Sequence, residues 1–278
     1  MAGRPERDFW FETASRLVMA GSNWKRKMTD HILIERPETH PGVLVIRFNR
    51  PDKKNAITSA MYRKMVMGLH EAGHDGAIRA VAFLGSEGCF SAGNDMGDFL
   101  TYAMSGDKDP PAAVDFLKVL ASYGKPLVSG VDGLAIGIGT TLHLHCDLTV
   151  ASSRSLFKTP FVDLALVPEA GSSLIVPRIM GHQRAFALLA AGEGFSAEAA
   201  REAGLIWKVV APDEVETETL KIAASLASKP AGALKIARDL VRGSTHEVLT
   251  RIDEEMVHFS TQLRSAEARA AFEAFLKR

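Results

Sequence analysis

The stretch from Cys89 to Asp98, C-F-S-A-G-N-D-M-G-D, carries the first chemistry legible in the chain. It follows an apolar run, Ala80 to Leu84, that reads as a buried strand. Gly93 permits a tight turn, and Asn94 and Asp95 are residue types that open helices. Such a turn can aim a free backbone N–H at an oxygen that is gaining negative charge. A second turn, Ala135 to Thr141 (A-I-G-I-G-T-T), follows another apolar strand, Leu127 to Val131, and leaves the N–H of Ile138 free at a helix start. Two donors from two strand ends can converge on one oxygen. Glu169, in L-V-P-E-A-G, reads by itself as an acidic residue favoured by the dipole at the N-terminus of a following helix.

Other chemistries fit less well. Gly137 and Gly139 begin a dinucleotide fingerprint, but its third glycine position holds Leu142, and no phosphate-binding G-x-x-x-x-G-K-[ST] loop occurs. His143 and His145 are two apart on a helix and point to different sides, so packing accounts for them and no metal site is expected. Asp95 and Asp98 read as helix-start carboxylates. Lys53 and Lys54 fit either a solvated loop or a contact to phosphates.

The elements that position these residues follow from periodicity. Val43 to Asn49 is a strand apolar enough for burial on both faces. Thr58 caps a helix on which Met61, Met65 and Leu69 recur, beside Tyr62 and Val66. Ser105 to Pro111 reads as a mobile loop and Val114 to Tyr123 as a helix. Leu148 to Ala151, Leu156 to Lys158 and Ile206 to Val210 are strands. Ser172 is read as the cap of a helix through Met180. Further helices are expected at Ala185 to Ala191, Ala197 to Ala203, Val215 to Ala227, Ala231 to Val241 and Glu247 to the end. Strands alternating with helices give an α/β class with mostly parallel strands.

Composition bounds the function. The chain has 278 residues, of which 46% are hydrophobic, enough for a large core. Lys plus Arg and Asp plus Glu both number 33, and no basic stripe stands out, so a nucleic-acid partner is not expected. Cys89 and Cys146 sit in apolar segments and read as reduced core thiols of an intracellular protein. No apolar run is long enough to span a bilayer. Residues 1–27 mix aromatics with Lys25-Arg26-Lys27, and Glu6, Asp8 and Glu12 argue against a transit peptide. They are read as an N-terminal extension, ahead of a core at 28–210 and a helical region at 211–278. The final residues, Phe275 to Arg278, are not a peroxisomal address, and a cytoplasmic location is expected.

The segments Phe48 to Ala56 (F-N-R-P-D-K-K-N-A), Phe90 to Asp95 (F-S-A-G-N-D), Lys125-Pro126 through Gly133, and Gly137-x-Gly139 through Cys146-Asp147 together resemble the crotonase (enoyl-CoA hydratase/isomerase) superfamily. The resemblance runs from about Ile32 to Val210. It implies a spiral of ββα units with a helical C-terminal region, an acyl-CoA thioester substrate, and a homotrimer or dimer of trimers. It implies an oxyanion hole made by the N–H groups of Asn94 and Ile138. It places Lys53, Lys54, Ala56, Ala92, Asp95, Met96, Gly137 and Phe161 along the substrate. No cofactor is implied beyond the coenzyme A of the substrate itself.

Hydratases of that superfamily use two glutamates to activate water. Their positions correspond here to Thr141 and Phe161, so hydration is disfavoured. The segment Leu166 to Gly171 instead resembles the Δ3,Δ2-enoyl-CoA isomerases, which carry a single Glu there. Glu169 is then the group that removes a proton from C2 and returns it to C4. The alternatives are an enoyl-CoA hydratase or thioester hydrolase using Glu169, and a non-catalytic acyl-CoA-binding protein. Asp132 stands where the superfamily usually has Asn, a change that bears on a turn hydrogen bond.

Overall fold

A computed structural model describes residues 30–105 and 112–276. The extension read at 1–27 lies outside the described residues, as do 106–111 of the expected loop and the last two residues. Strands β1 (Ile32–Glu35), β2 (Val43–Phe48), β3 (Ala80–Leu84), β5 (Leu127–Val131), β7 (Leu148–Ser152) and β10 (Lys208–Val210) form one six-stranded sheet in that order. It is parallel except for β1 against β2. Strands β4 (Cys89–Ser91), β6 (Leu134–Ile136), β8 (Leu156–Lys158) and β9 (Phe195–Ser196) form a second sheet, parallel except for β8 against β9.

The strands enter in pairs. β3 and β4, β5 and β6, β7 and β8 each send their first member to the larger sheet and their second to the smaller. The helices α2 (Met96–Ser105) and α3 (Ala112–Ser122) follow the first pair, the single turn α4 (Ile138–Thr141) the second, and α5 (Ser172–Leu189) the third. This is the expected spiral of ββα units. The short strands β4 and β6 escape a reading by periodicity because three residues carry no period.

The larger sheet is covered on both faces, which explains its unbroken apolar strands. Side chains alternate across a strand. Val81 and Phe83 of β3 face the main core, packed with Met61, Met65 and Leu69 of α1 (Ser59–His74) and with Phe116 and Leu120 of α3. Ala80, Ala82 and Leu84 face Leu220, Ala223 and Ala227 of α7 (Val215–Ala227). Between β9 and α7 lies α6 (Ala197–Glu202). The tail ends in α8 (Ala231–Arg242), α9 (Thr245–Leu263) and α10 (Ala266–Leu276).

Several boundaries differ from expectation. Ser172 does not cap its helix: Gly171, in the left-handed region, holds the N-cap position. The end at Met180 is as expected, since Gly181 (φ 76°, ψ 167°) breaks the helix there before helical residues resume to Leu189. The helix expected from Glu247 to the end is two helices, α9 and α10, separated at Arg264 and Ser265. Asn94 precedes α2 rather than opening it; Asp95 caps that helix by accepting from the N–H groups of Gly97 and Asp98. Asp98 caps a different helix, accepting from Ser59 N at 2.5 Å at the start of α1. Asp132 accepts from the Gly88 N–H at 2.7 Å and pairs with Arg154 at 2.6 Å, so its charge ties the β5–β6 turn to two neighbouring loops.

At that turn Gly133 has φ 75°, and a Cβ there would lie 1.9 Å from the Gly88 carbonyl oxygen. Neither the backbone angle nor the fixed main chain opposite tolerates a side chain. Gly133→Ala is expected to destabilise the fold by about 3 kcal/mol or more, read as a lower midpoint in a denaturant melt.

Candidate active site

The register of β4 against β6 places Ser91 opposite Ala135, so the two parallel strands release their turns side by side. Gly93 has φ 90°, and a Cβ on it would sit 2.9 Å from the Ile136 carbonyl oxygen. Glycine is what lets the Asn94 turn and the Ile138 turn abut. Ile57 forms a parallel bridge with Asn94, donating to the Gly93 carbonyl at 2.8 Å and accepting from the Asp95 N–H at 2.9 Å. In that pattern the flanking residues face Ile57, so the N–H of Asn94 points the other way. The N–H of Ile138 opens α4, where no residue of the same turn can accept it. Among the hydrogen bonds of the described residues, neither N–H has a protein acceptor.

The loop at residues 53–57 is zipped to the first turn. Ala92 N donates to Lys54 O at 2.8 Å, and the Ser91 hydroxyl to Asn55 O at 2.9 Å. Asn55 is fully buried with φ 54°, and its amide donates to Ser86 Oγ and to the carbonyls of Cys89 and Phe90. Arg50 reaches Asp95 at 2.7 Å and Ala56 O at 2.9 Å. Burial would lift the Asp95 carboxyl, but Arg50 and the N–H groups of Asp98 and Gly97 hold it below its ordinary range. These bonds tie Lys54, Ala56, Ala92 and Asp95 together, with Gly137 against Gly93 and Met96 next in the chain, and Lys53 and Lys54 are exposed. Phe161 is buried in the apolar cluster that also holds Ile138, Leu142, Leu166 and Ala170.

Glu169 is only 5% exposed. Its side chain does not serve the helix behind it. Oε1 is hydrogen-bonded to the hydroxyl of Thr141, the last residue of the turn that Ile138 begins. That bond ties the carboxyl to the turn whose first N–H is that of Ile138. Burial pushes Glu169 up to about 8; the Thr141 hydroxyl pulls it down and the charge of Glu255 adds to the rise. A hydroxyl, that of Thr141, is thus the side-chain partner of this carboxyl.

Two further residues join this arrangement, Tyr62, read above only as part of an apolar helix face, and His145, read above only as packing. Tyr62, buried on α1, donates its hydroxyl to Asn94 Oδ1 at 2.6 Å. Burial first, then the nearby charges of Glu169 and Asp98, keeps its phenol protonated far above its ordinary range. The signal was a hydroxyl-bearing ring on an apolar helix face, which needs a polar partner. His145, pushed down to about 3 by burial, is a neutral ring whose Nε2–H donates to Ala170 O at 2.9 Å, directly after Glu169. His143 lies apart, bonded to Ser129 Oγ at 2.9 Å. Among the described residues no group of three or more His, Cys, Asp or Glu gathers as a metal site.

The arrangement is a buried carboxyl bonded to the turn that Ile138 opens, with two unused backbone donors on the abutting turns. Comparison with known proteins gives the family. The enoyl-CoA hydratase/isomerase family matches over residues 38–278. The chain is similar to enoyl-CoA delta isomerase 2 of Rattus norvegicus, 34% identical over 87% of this chain, and spans 62% of that relative's length. It is similar to 1,2-epoxyphenylacetyl-CoA isomerase of Escherichia coli, 30% identical over 84% of this chain and 92% of the relative. In structure it resembles Pseudomonas aeruginosa OdaA, with TM-score 0.84 and 40% identity over 90% of this chain and 100% of that one. With the strand-paired spiral and the two abutting turns, these matches make the chain a member of the enoyl-CoA hydratase/isomerase family, with the crotonase fold.

Proposed function

We propose that this protein is an enoyl-CoA isomerase that moves a double bond from C3 to C2 of an acyl-CoA thioester. The thioester carbonyl accepts from the N–H groups of Asn94 and Ile138. Ionised Glu169 takes a proton from C2, and the electron pair spreads over C2 to C4 and the thioester oxygen. The two donors stabilise that charge by about 3 kcal/mol each. Glu169 then returns the same proton to C4, so no water is consumed. The observation that supports this reading is a buried carboxyl, raised to about 8, whose side-chain partner is the hydroxyl of Thr141, while Thr141 and Phe161 fill the two positions where the resemblance puts the hydratase glutamates.

Lys53, Lys54, Ala56, Ala92, Asp95, Met96 and Gly137 form the rim along which coenzyme A lies, with the exposed ammonium groups of Lys53 and Lys54 toward its phosphates. Phe161 faces the acyl portion. Coenzyme A arrives with the substrate, and no other cofactor takes part. Ile236, Leu240 and Val241 of α8 are large, exposed and apolar, which supports assembly into a homotrimer or dimer of trimers. Among the described residues no helix is long and apolar enough to cross a membrane. A cytoplasmic location fits that and the two free cysteines.

Three outcomes follow. Glu169→Gln is expected to lower kcat for 3-enoyl to 2-enoyl conversion by about a thousandfold while changing acyl-CoA affinity little, measured by steady-state kinetics and calorimetry. Because only the ionised carboxyl accepts the C2 proton, kcat/KM should climb with pH and level off above a midpoint near 8, and a flat profile from pH 6 to 9 contradicts the assignment. The same shift has a stability cost of definite sign. The unfolded chain releases this proton near the ordinary 4.5 and the fold holds it to about 8, so stability falls as pH rises through that window. Glu169→Gln, which cannot ionise, should therefore gain Tm relative to the parent between pH 5 and 8.

A further inference from the structure

One carboxylate of the helical tail reaches the start of α5. Glu255 is buried on α9, in register with Ile252 and Phe259 of its apolar stripe. Its Oε2 accepts from the Gly171 N–H at 2.6 Å, and its Oε1 from the Ser173 N–H at 2.8 Å and the Ser173 hydroxyl at 2.6 Å. These donors are the exposed N–H groups at the start of α5, immediately after Glu169. Gly171 offers no side-chain cap there. A carboxylate 84 residues distant in sequence supplies it.

We propose that Glu255 is a positioning residue for Glu169: by occupying the start of α5 it denies that helix end to Glu169 and turns the Glu169 side chain toward Thr141 and the substrate. The inference rests on Glu169 as the proton carrier. Without Glu255, the free N–H groups of Gly171 and Ser173 are the nearest strong donors for a carboxylate two residues upstream. Glu169 would rotate onto them and away from C2. Ala170 is pinned from the opposite side by His145, so the backbone stays in place and the side chain is what moves.

The charges around the pair are few. Glu169 faces Thr141 of α4, Tyr62 of α1 and Glu255 of α9, with Asp98 beyond Tyr62. His145 is neutral. Glu255 has Ser173 and, on its own helix, Arg251, whose Nη1 lies 3.4 Å from Ser173 Oγ. Burial raises the Glu255 pKa, while the three donors and Arg251 favour its ionised form. Its charge in turn disfavours ionisation of Glu169.

The test uses Glu255→Ala and Glu255→Gln in the full chain. Each is assayed for kcat and KM per folded protein, and each has the Glu169 carboxyl titrated by carbon-13 NMR with Glu169→Gln for assignment. Positioning is expected to cost Glu255→Ala about tenfold or more in kcat with little change in KM. Both variants should move the Glu169 midpoint down from near 8 by about half a unit or more, as a like charge is lost and helix donors are gained. Glu255→Gln keeps the bulk and one acceptor oxygen, so its titration is readable even where Glu255→Ala folds poorly. A lower Tm in both variants, with kcat and the Glu169 midpoint unmoved, overturns the proposal and leaves Glu255 as a fold-stabilising cap. The titration needs no substrate, so it reports on Glu255 even where the isomerase reading fails.

Discussion

A carboxyl group sealed from water with one hydroxyl for a partner is an expensive thing to bury, and the rest of this molecule is arranged around that expense. Glu169 lies in an apolar cluster, bonded to Thr141 and repelled by Glu255. Burial and the charge of Glu255 favour the protonated form, and the Thr141 hydroxyl offsets them in part. A hydroxyl at the Thr141 position orients the acid without competing for its proton. In the proposed reaction that one acid suffices, and the two positions where the resemblance puts hydratase glutamates hold Thr141 and Phe161.

The base is useful only if the oxygen of its substrate is held. Two adjacent parallel strands end together, and the glycine after one of them lets its turn lie against the turn of the other. In the Asn94 turn Ile57 holds the Gly93 carbonyl and the Asp95 N–H, Lys54 holds the Ala92 N–H, and the Asp95 side chain holds the Gly97 and Asp98 N–H groups, while the Asn94 N–H has no protein acceptor among the described residues. Tyr62 fixes the Asn94 side chain and also senses the charge on Glu169, so donor turn and base are linked through one phenol. Rigid scaffolding around a few unsatisfied groups is the arrangement that electrostatic catalysis requires.

The fold was legible in the sequence where periods were long. The apolar runs of β2, β3 and β5 and the helical spacing of α1 identify themselves, because burial on two faces or one stripe leaves a repeating mark. The strands β4 and β6 are three residues each and were visible only as the lead-in to glycine turns. Of the site, Asn94, Ile138 and Glu169 stood out through turn chemistry and family resemblance. The orientation of Glu169 did not, since a carboxylate before a helix ordinarily caps it. That question was decided by Glu255, whose contact spans the chain and has no local signature. Its one trace was an acid on the apolar stripe of α9, between Ile252 and Phe259. Ser172 looked like a cap for the same reason that Glu255 was overlooked: local propensity assigns a helix end to its neighbours, while the tertiary structure gave it to a distant helix.

The central claim is that one carboxyl carries one proton between two carbons of a bound enoyl chain. A 3-enoyl-CoA deuterated at C2, turned over once in ordinary water and analysed by mass and NMR, tests it most directly. The account expects deuterium at C4 of the 2-enoyl product in a substantial fraction of molecules, with no oxygen gained. A product carrying solvent oxygen, or one in which the label never reaches C4 and Glu169 is dispensable, contradicts it.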